Sequence, residues 1–222
     1  MLQWLRTVKK HIYWMIKEKH ISYAQEGEDM ILRRLLEGRD KGFYVDVGAH
    51  HPRRFSNTYF FYKRGWSGIN IDACPGSMKL FSLLRFRDIN LECAIADEKK
   101  VLDYYRFNEP AVNGFYHQCP ERLKAYKLIE KVPIEALPLK EVLAKYIHKN
   151  SKIDFLSIDV EGLDEQVLRS NDWECYKPEI VLLESVDTNI TDFLTSSTYD
   201  FMCKQGYVYC AKTMNTHFFR KV

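Results

Sequence analysis

Acidic and histidine side chains follow a series of short apolar segments along this sequence. The segments have the length and composition of buried strands in a mostly parallel sheet, whose carboxyl ends lie together at one edge. Ligands bind beyond those ends in open α/β sheets. The residues that this pattern would bring to that edge are Asp46, Gly48, His50, His51, Asp72, Asp97, Asp159, Glu161, Glu184 and Ser185.

Asp72 is suited to bind a nucleoside cofactor. It follows the second apolar segment, and a carboxylate at that place can accept hydrogen bonds from both hydroxyls of a ribose. Gly48 would let a ligand approach the backbone closely at the first turn. A classical NAD-binding turn is disfavoured, because residues 50–52 are His-His-Pro where that turn would have further glycines.

The elements that must position these residues are those of an α/β domain, since apolar runs of strand length alternate with amphipathic stretches of helical length. We predict an antiparallel hairpin at one sheet edge from residues 207–211 and 213–220, and a polar loop over residues 108–120. The remaining predicted strands are 43–47, 67–71, 89–95, 101–107, 153–158 and 179–183, and the predicted helices are 58–63, 76–86, 135–148 and 163–170.

Five motifs together resemble the FkbM family of S-adenosylmethionine-dependent methyltransferases. In chain order they are SYAQEGED (22–29), YVDVGAHHP (44–52), FSNT (55–58), GINID (68–72) and IDVEG (158–162). The resemblance spans roughly residues 22–220. It implies a class I methyltransferase fold: a Rossmann-like, mostly parallel sheet of seven strands, flanked by helices and ending in an antiparallel hairpin. It also implies methylation of hydroxyl groups on sugars or natural products.

The resemblance assigns site residues to S-adenosylmethionine. It places Asp46 and Gly48 at the methionine part, Asp72 at the ribose and residues 94–97 at the adenine, and it makes the segment around Gln25 help close the pocket. Residues 50–52 depart from the family, many members of which have Asn and Gly there. The cofactor-binding residues expected on this basis are Gln25, Glu26, Asp29, Asp46, Gly48, Ala49, Asn57, Asp72, Ala73, Ala94, Ile95, Asp97 and Asp159.

Methyl transfer to a hydroxyl needs the two reactants in line and a group that removes one proton. We identify four candidate catalytic residues, Asp159, Glu161, His50 and His51. A carboxylate pair could orient the hydroxyl and accept its proton, whereas a histidine has an ordinary pKa of ~6.5, close to neutral pH. Structural roles stay open: Asp159 could cap the following helix, and the histidines could be ordinary loop residues.

A metal-dependent variant is a weaker alternative. Asp159, Glu184 and Asp187 are carboxylates after neighbouring strands, and such oxygen ligands can bind Mg²⁺, which lowers the pKa of a substrate hydroxyl. Spacing alone does not demonstrate such a site.

The sequence therefore predicts an O-methyltransferase that acts on a carbohydrate hydroxyl, in a nucleotide-linked sugar or a surface glycan. The acceptor pocket is expected from residues 50–57, residues 108–119 and the residues after the fourth and fifth strands, with Arg53, Arg54, Lys63 and Arg64 as possible charges for an acidic acceptor. One alternative acceptor is a lipid-linked or small natural-product hydroxyl. Another alternative is a non-catalytic nucleotide-binding or assembly module with the same fold.

Residues 1–20 form a segment distinct from the domain expected over residues 21–222. Their apolar residues, among them Leu5, Val8 and Ile12, recur at three- and four-residue spacing, which predicts a basic amphipathic helix. Such a helix could pack on its own domain or on a second subunit of a homo-oligomer, or it could lie on the inner face of an anionic membrane.

Composition excludes several classes of protein. The chain has 222 residues, of which 46% are hydrophobic and 28% charged, close to the globular average. Its net charge is +3, but residues 1–20 contribute +4, so the rest has no basic excess for nucleic acid. Six cysteines without a CxxC pair predict buried reduced thiols, and no apolar run of about 18 residues exists. We expect a cytoplasmic protein.

Overall fold

A computed structural model describes residues 2–17, 20–116, 121–185 and 189–222. Its strands are β1 (Phe43–Val47), β2 (Ser67–Asp72), β3 (Ile89–Glu92), β4 (Ala94–Ile95), β5 (Lys100–Phe107), β6 (Leu128–Leu137), β7 (Phe155–Ile158), β8 (Ile180–Glu184), β9 (Tyr207–Lys212) and β10 (Thr216–Lys221). Its α-helices are α1 (Leu2–Lys17), α2 (Glu28–Leu35), α3 (Tyr59–Tyr62), α4 (Met78–Leu84), α5 (Leu139–Tyr146), α6 (Asp164–Arg169), α7 (Ile190–Phe193) and α8 (Ser197–Lys204).

The main sheet has seven strands in the order β3-β2-β1-β7-β8-β10-β9. In this sheet the five strands β3, β2, β1, β7 and β8 run parallel, and β10 is antiparallel to both of its neighbours. The predicted mixed α/β architecture with an antiparallel closing hairpin is confirmed. Strand order reverses between β1 and β7, so the chain leaves a crevice beyond the carboxyl ends of these two strands.

The central strands form because their residues are apolar on both faces. Val45 and Val47 of β1 pack into one core with α5, α6 and α8, while Tyr44 packs into a second core with α2 and α3. Successive side chains of a strand point to opposite faces, so a short Val/Ile-rich segment supplies both cores. Register places Val47 beside Ile71 of β2 and Ile158 of β7, which brings three strand ends together.

A second sheet of three strands, in the order β4-β6-β5, corrects two predictions. The segment 89–95 is two strands, because Cys93 separates β3 from β4, and β4 pairs with β6 instead of with the main sheet. The predicted helix over 135–148 begins at Leu139, since residues up to Leu137 belong to β6. Pro138 marks this boundary, because the residue before a proline disfavours helical conformation.

The cysteines differ from the prediction of buried thiols. Those in the described part of the chain are free, but Cys203 and Cys210 are exposed and Cys74, Cys93 and Cys175 are partly exposed. None of the described helices has the length and apolar character needed to cross a membrane.

Candidate active site

A cavity of about 360 Å³ lies beyond the carboxyl ends of β1, β2, β4 and β7. Its volume is within the range of small-molecule sites, ~300 to 1,000 Å³. Ten of the residues singled out from the sequence line it, namely Gln25, Gly48, His50, His51, Asp72, Ala73, Ala94, Ile95, Asp159 and Glu161. Five segments that are far apart in the chain therefore contribute to one site.

Gly48 closes the turn after β1 in a conformation that favours glycine. Its φ is 87°, and its N–H donates to the carbonyl of Ile71. A Cβ at this position would lie 1.5 Å from the carbonyl oxygen of Asp159. The sequence suggested a ligand as the group that approaches this glycine, whereas the structure shows the chain's own backbone there.

Asp72 lies at the end of β2 with its side chain almost completely buried. Its Oδ2 accepts a hydrogen bond from the His50 N–H and its Oδ1 accepts one from the Cys74 N–H, both at 2.8 Å. Burial raises the pKa of Asp72, and these backbone hydrogen bonds oppose that rise. A carboxylate offers about four acceptor positions, so Asp72 retains capacity for a ligand in the cavity that it lines.

His50 and His51 have different surroundings. The His50 ring stacks on Phe55, its φ is 53°, and its buried Nε2 has no hydrogen-bond partner within the described residues. Burial lowers the pKa of His50 to about 4. His51 Nδ1 accepts from the N–H groups of Arg53 and Arg54 at 3.0 and 2.9 Å, so its ring stabilises the loop.

Asp159 and Glu161 stand at the end of β7. The Asp159 N–H donates to the Val47 carbonyl, which fixes the loop beside β1. Glu161 has a φ of 51° and accepts a hydrogen bond from the Tyr116 hydroxyl at 3.1 Å. Burial, followed by the neighbouring Glu184 carboxylate, raises the pKa of Asp159 well above its ordinary value.

Asp164 is a residue that the sequence reasoning missed. Its carboxylate accepts from the N–H groups of Val160 at 3.0 Å and Gly162 at 3.2 Å, so it holds the loop that carries Asp159. The N-cap of α6 is Leu163 and no side chain caps this helix, so the capping role that had been open for Asp159 is not observed. An acidic residue in the first turn of a helix, after a glycine-containing loop, was the available signal for Asp164.

The carboxylates that lie together in the structure differ from the set that the sequence offered as Mg²⁺ ligands. Oxygens of Asp159, Asp164 and Glu184 lie within 4.8 Å of one another. Asp187 lies outside the described residues. Two of the Asp164 hydrogen-bonding positions are already used by backbone N–H groups, which accounts for the place of that one carboxylate in the cluster.

The SYAQEGED segment contributes mainly hydrogen-bond acceptors. Glu26 accepts from the N–H of Asn215 at 3.0 Å, and Glu28 accepts from the Thr213 hydroxyl at 2.9 Å. Asp29 accepts from the Tyr23 N–H at 2.7 Å within its own segment. Glu26 and Glu28 fasten the segment to the β9–β10 turn. Of the residues in this segment that were assigned to the cofactor, only Gln25 lines the 360 Å³ cavity.

Asp46 belongs to a buried polar network outside the cavity lining. It accepts a hydrogen bond from the Thr58 hydroxyl at 3.1 Å, and that hydroxyl accepts one from Arg85 at 3.0 Å. Arg85 is wholly buried and also pairs with Asp88. Burial raises the pKa of Asp46 to about 6, while the Arg85 charge opposes that rise.

Three further cofactor candidates, Ala49, Asn57 and Asp97, are not among the residues that line the 360 Å³ cavity. Asn57 donates from its amide to the Ser157 hydroxyl at 3.0 Å, and Ala49 packs with Met78 and Phe81. Asp97 forms an ion pair with Lys100. Phe55 and Phe115 also line the cavity and lie within residues 50–57 and 108–119, which the sequence predicted for a pocket, whereas Tyr104 is a lining residue that the sequence reasoning missed.

A second cavity of about 320 Å³ adjoins the first. Glu161 lines both cavities, and Tyr116, Asp164, Glu184 and Phe193 line the second. The arrangement provides two spaces that meet at one carboxylate. Such a pair of spaces can hold two reactants with a proton-accepting group at their junction.

Comparison with known proteins agrees with this geometry. The sequence model of the methyltransferase FkbM domain matches residues 46–209, which include the end of β1, all of β2, β7 and β8, and most of both cavities. No curated protein matches the chain significantly. Because the match covers well over half of its length, the chain belongs to the FkbM methyltransferase family.

Proposed function

We propose that the protein is an S-adenosylmethionine-dependent O-methyltransferase with a class I, Rossmann-like fold, acting on a hydroxyl of a carbohydrate. The main observation that supports this proposal is that the two cavities meet at Glu161, two residues from Asp159. The acceptor is a sugar unit of a nucleotide-linked precursor or of a surface glycan. Family membership and the reversal of strand order beside the cavity support the proposal.

The residues of the 360 Å³ cavity fit an adenosine-containing cofactor. Asp72 offers carboxylate oxygens to ribose hydroxyls, and Leu80, Ala94 and Ile95 offer an apolar wall to a purine ring. The buried Nε2 of His50 is a further polar atom available to a ligand. When bound, S-adenosylmethionine supplies a methyl group on a sulfonium, the electrophile for methyl transfer.

Asp159 is the best-suited proton acceptor of the four candidates. A general base works best with a pKa above that of an ordinary carboxylate, closer to the working pH, and burial, followed by the Glu184 carboxylate, raises the pKa of Asp159 well above its ordinary value. His50 is a weaker base, because its pKa is lowered to about 4. His51 uses Nδ1 within its loop. In this proposal, Glu161 orients the hydroxyl and Asp159 accepts its proton.

The 320 Å³ cavity suits hydroxyl groups better than phosphates. Four carboxylates, those of Glu161, Asp164, Glu165 and Glu184, line it. Carboxylates accept hydrogen bonds from sugar hydroxyls and repel phosphate oxygens. A nucleotide-linked acceptor would therefore place its sugar in this cavity and its diphosphate outside.

Calorimetry with S-adenosylmethionine and S-adenosylhomocysteine tests the cofactor assignment. We expect both to bind, and we expect Asp72→Asn to weaken binding by at least tenfold, since two hydrogen bonds to a charged acceptor are each worth ~1.5 to 3 kcal/mol. Asp97→Asn is the matched control, because Asp97 pairs with Lys100 outside the cavity. Folded protein that binds neither compound would refute the assignment.

Acceptor screening with labelled S-adenosylmethionine then separates the remaining functions. Transfer to nucleotide sugars or to glycan fragments supports the proposal. Transfer confined to lipid-linked or small natural-product hydroxyls identifies the alternative acceptor class. Tight cofactor binding with no transfer to any acceptor class identifies a non-catalytic module.

A further inference from the structure

The first helix, α1, has an apolar side and a basic side. At 100° per residue, Trp4, Leu5, Val8 and Ile12 fall within one arc of about 100°. Arg6 and Lys10 lie on the opposite side of the helix. This distribution is that of an amphipathic helix that buries one face.

The domain does not cover that apolar face. Trp4 has 67% of its surface exposed, Ile12 has 51% and Leu5 has 44%. The sequence left open whether the helix packs on its own domain, and these exposed fractions show that much of the apolar face is accessible to solvent. A cluster of large apolar side chains in water indicates a surface that binds another phase or another molecule.

The charge of α1 indicates what covers the face. The helix contains Arg6, Lys9, Lys10 and Lys17 and has no acidic residue. Two copies that met through their apolar sides would add the positive charges of two helices and supply no acidic partner for them. An anionic lipid surface instead complements them, and tryptophan favours the boundary between headgroups and acyl chains.

We propose that α1 binds the surface of an anionic lipid bilayer, lying parallel to it with Trp4, Leu5, Val8 and Ile12 at the acyl boundary, Lys9 beside the headgroups and Lys10 on the outer side of the helix. This inference does not rest on the proposed methyl transfer, because it follows from α1 alone. Its consequence is that the methyltransferase domain works next to a membrane.

Co-sedimentation of the full chain with lipid vesicles tests the proposal. We expect binding to vesicles that contain phosphatidylglycerol and little binding to vesicles of phosphatidylcholine alone. Raising the salt concentration from ~0.1 to ~1 M should weaken binding strongly, because the Debye length falls from ~10 to ~3 Å. Equal binding to both kinds of vesicle would overturn the charge argument.

Two double variants address the two sides of the helix. Lys9→Gln with Lys10→Gln should weaken binding by about fivefold or more, because a basic residue near such a surface contributes about fivefold and Lys9 is the one beside the headgroups. Trp4→Ser with Ile12→Ser should abolish sedimentation. The matched control is Lys127→Gln with Lys140→Gln, which removes two exposed charges from the domain and should bind like the parent.

Two further measurements distinguish loss of lipid binding from unfolding and from self-association. Thermal unfolding should be the same for all variants, because the altered side chains are exposed and their loss removes no core packing. Sedimentation equilibrium without lipid reports self-association. A dimer that Trp4→Ser with Ile12→Ser disrupts, together with no vesicle binding by the parent, would assign the face to a second copy and overturn the proposal.

Discussion

Gly48 and Asp159 are in backbone contact across the main sheet: a Cβ added at residue 48 would lie 1.5 Å from the Asp159 carbonyl oxygen. The contact joins the turn after β1 to the loop after β7. It holds the cofactor side of the 360 Å³ cavity against the residues proposed to act on the acceptor. A substitution that disturbs this contact should therefore lower the stability of the folded protein and slow the proposed methyl transfer.

Gly48→Ala should destabilise the fold by about 3 kcal/mol or more, because it combines a strained positive φ with a backbone clash. Urea denaturation measures this change. Gly38→Ala is the matched control: its φ is 84°, but nothing lies within 4 Å of the added Cβ, so it should lose only about 1 kcal/mol. Equal losses in the two variants would contradict the backbone contact.

Asp159→Asn should lower kcat by about 10² to 10⁴-fold, the usual contribution of a general base. The parent rate should rise with pH as Asp159 loses its proton, with an apparent pKa above that of an ordinary aspartate. The Asn variant should lack this rise. Glu165→Gln, a change at an exposed carboxylate of the 320 Å³ cavity, should keep it. If the Asp159→Asn variant kept the pH profile of the parent, a group other than Asp159 would be the one that accepts the proton of the substrate hydroxyl.

Asp46 should make stability depend on pH between about 4 and about 6. Its pKa is about 6 in the folded protein and ~3.9 when unfolded, so folding favours the protonated form. Its stabilising contribution is fully present below pH ~4 and is lost as pH rises through about 6. The difference corresponds to about 3 kcal/mol.

Urea midpoints of the parent and of Asp46→Asn across this pH range measure that effect. The parent should lose stability relative to the variant as pH rises. Asp97→Asn should show the reverse trend and a small one, because the Lys100 side chain lowers the pKa of the exposed Asp97. A pH-independent difference between the parent and Asp46→Asn would contradict the raised pKa.

Arg85→Met should destabilise the protein by about 3 to 5 kcal/mol, because it leaves the buried Asp88 carboxylate without its cation. The guanidinium also donates to the Tyr44 hydroxyl at 2.7 Å and to the Pro52 carbonyl at 3.0 Å. Arg34→Met removes a cation from an exposed pair with Glu37 and should change stability by less than about 1 kcal/mol. Chemical denaturation distinguishes the two.

The strands that bound the site could be predicted from the sequence, because their signal is local. β1, β2, β7 and β8 are short apolar runs, and β1, β2 and β7 are followed by polar residues that line the cavity. The same pattern located Asp72. The division of residues 89–95 at Cys93 could not be predicted, since apolar residues continue on both sides and only pairing with the distant β6 separates them.

The roles of individual polar residues depended on contacts between distant segments. Asp46 and Asp72 both end or lie in apolar strands, yet one joins the Arg85 network and the other lines the cavity. Both side chains point to the same face of the sheet, because Asp46 pairs with Asn70 and Asp72 lies two residues further along β2. The difference is position along the strand, since Asp72 is the last residue of β2 and Asp46 lies inside β1. Glu26 was expected at the cofactor because its segment resembles the N-terminal signature of the family, whereas in the structure it accepts a hydrogen bond from Asn215.

The pairing of Glu26 with Asn215 should couple the SYAQEGED segment to the β9–β10 turn. Glu26 accepts from both the backbone N–H and the side-chain amide of Asn215, at 3.0 and 3.2 Å. Glu26→Ala and Asn215→Ala should therefore be non-additive by about 0.5 to 3 kcal/mol in a double-mutant cycle. Because Gln25 lines the cavity next to this anchor, each single variant should also weaken S-adenosylhomocysteine binding, and the double variant should weaken it no further. Additive effects on both stability and binding would show that the two segments act independently.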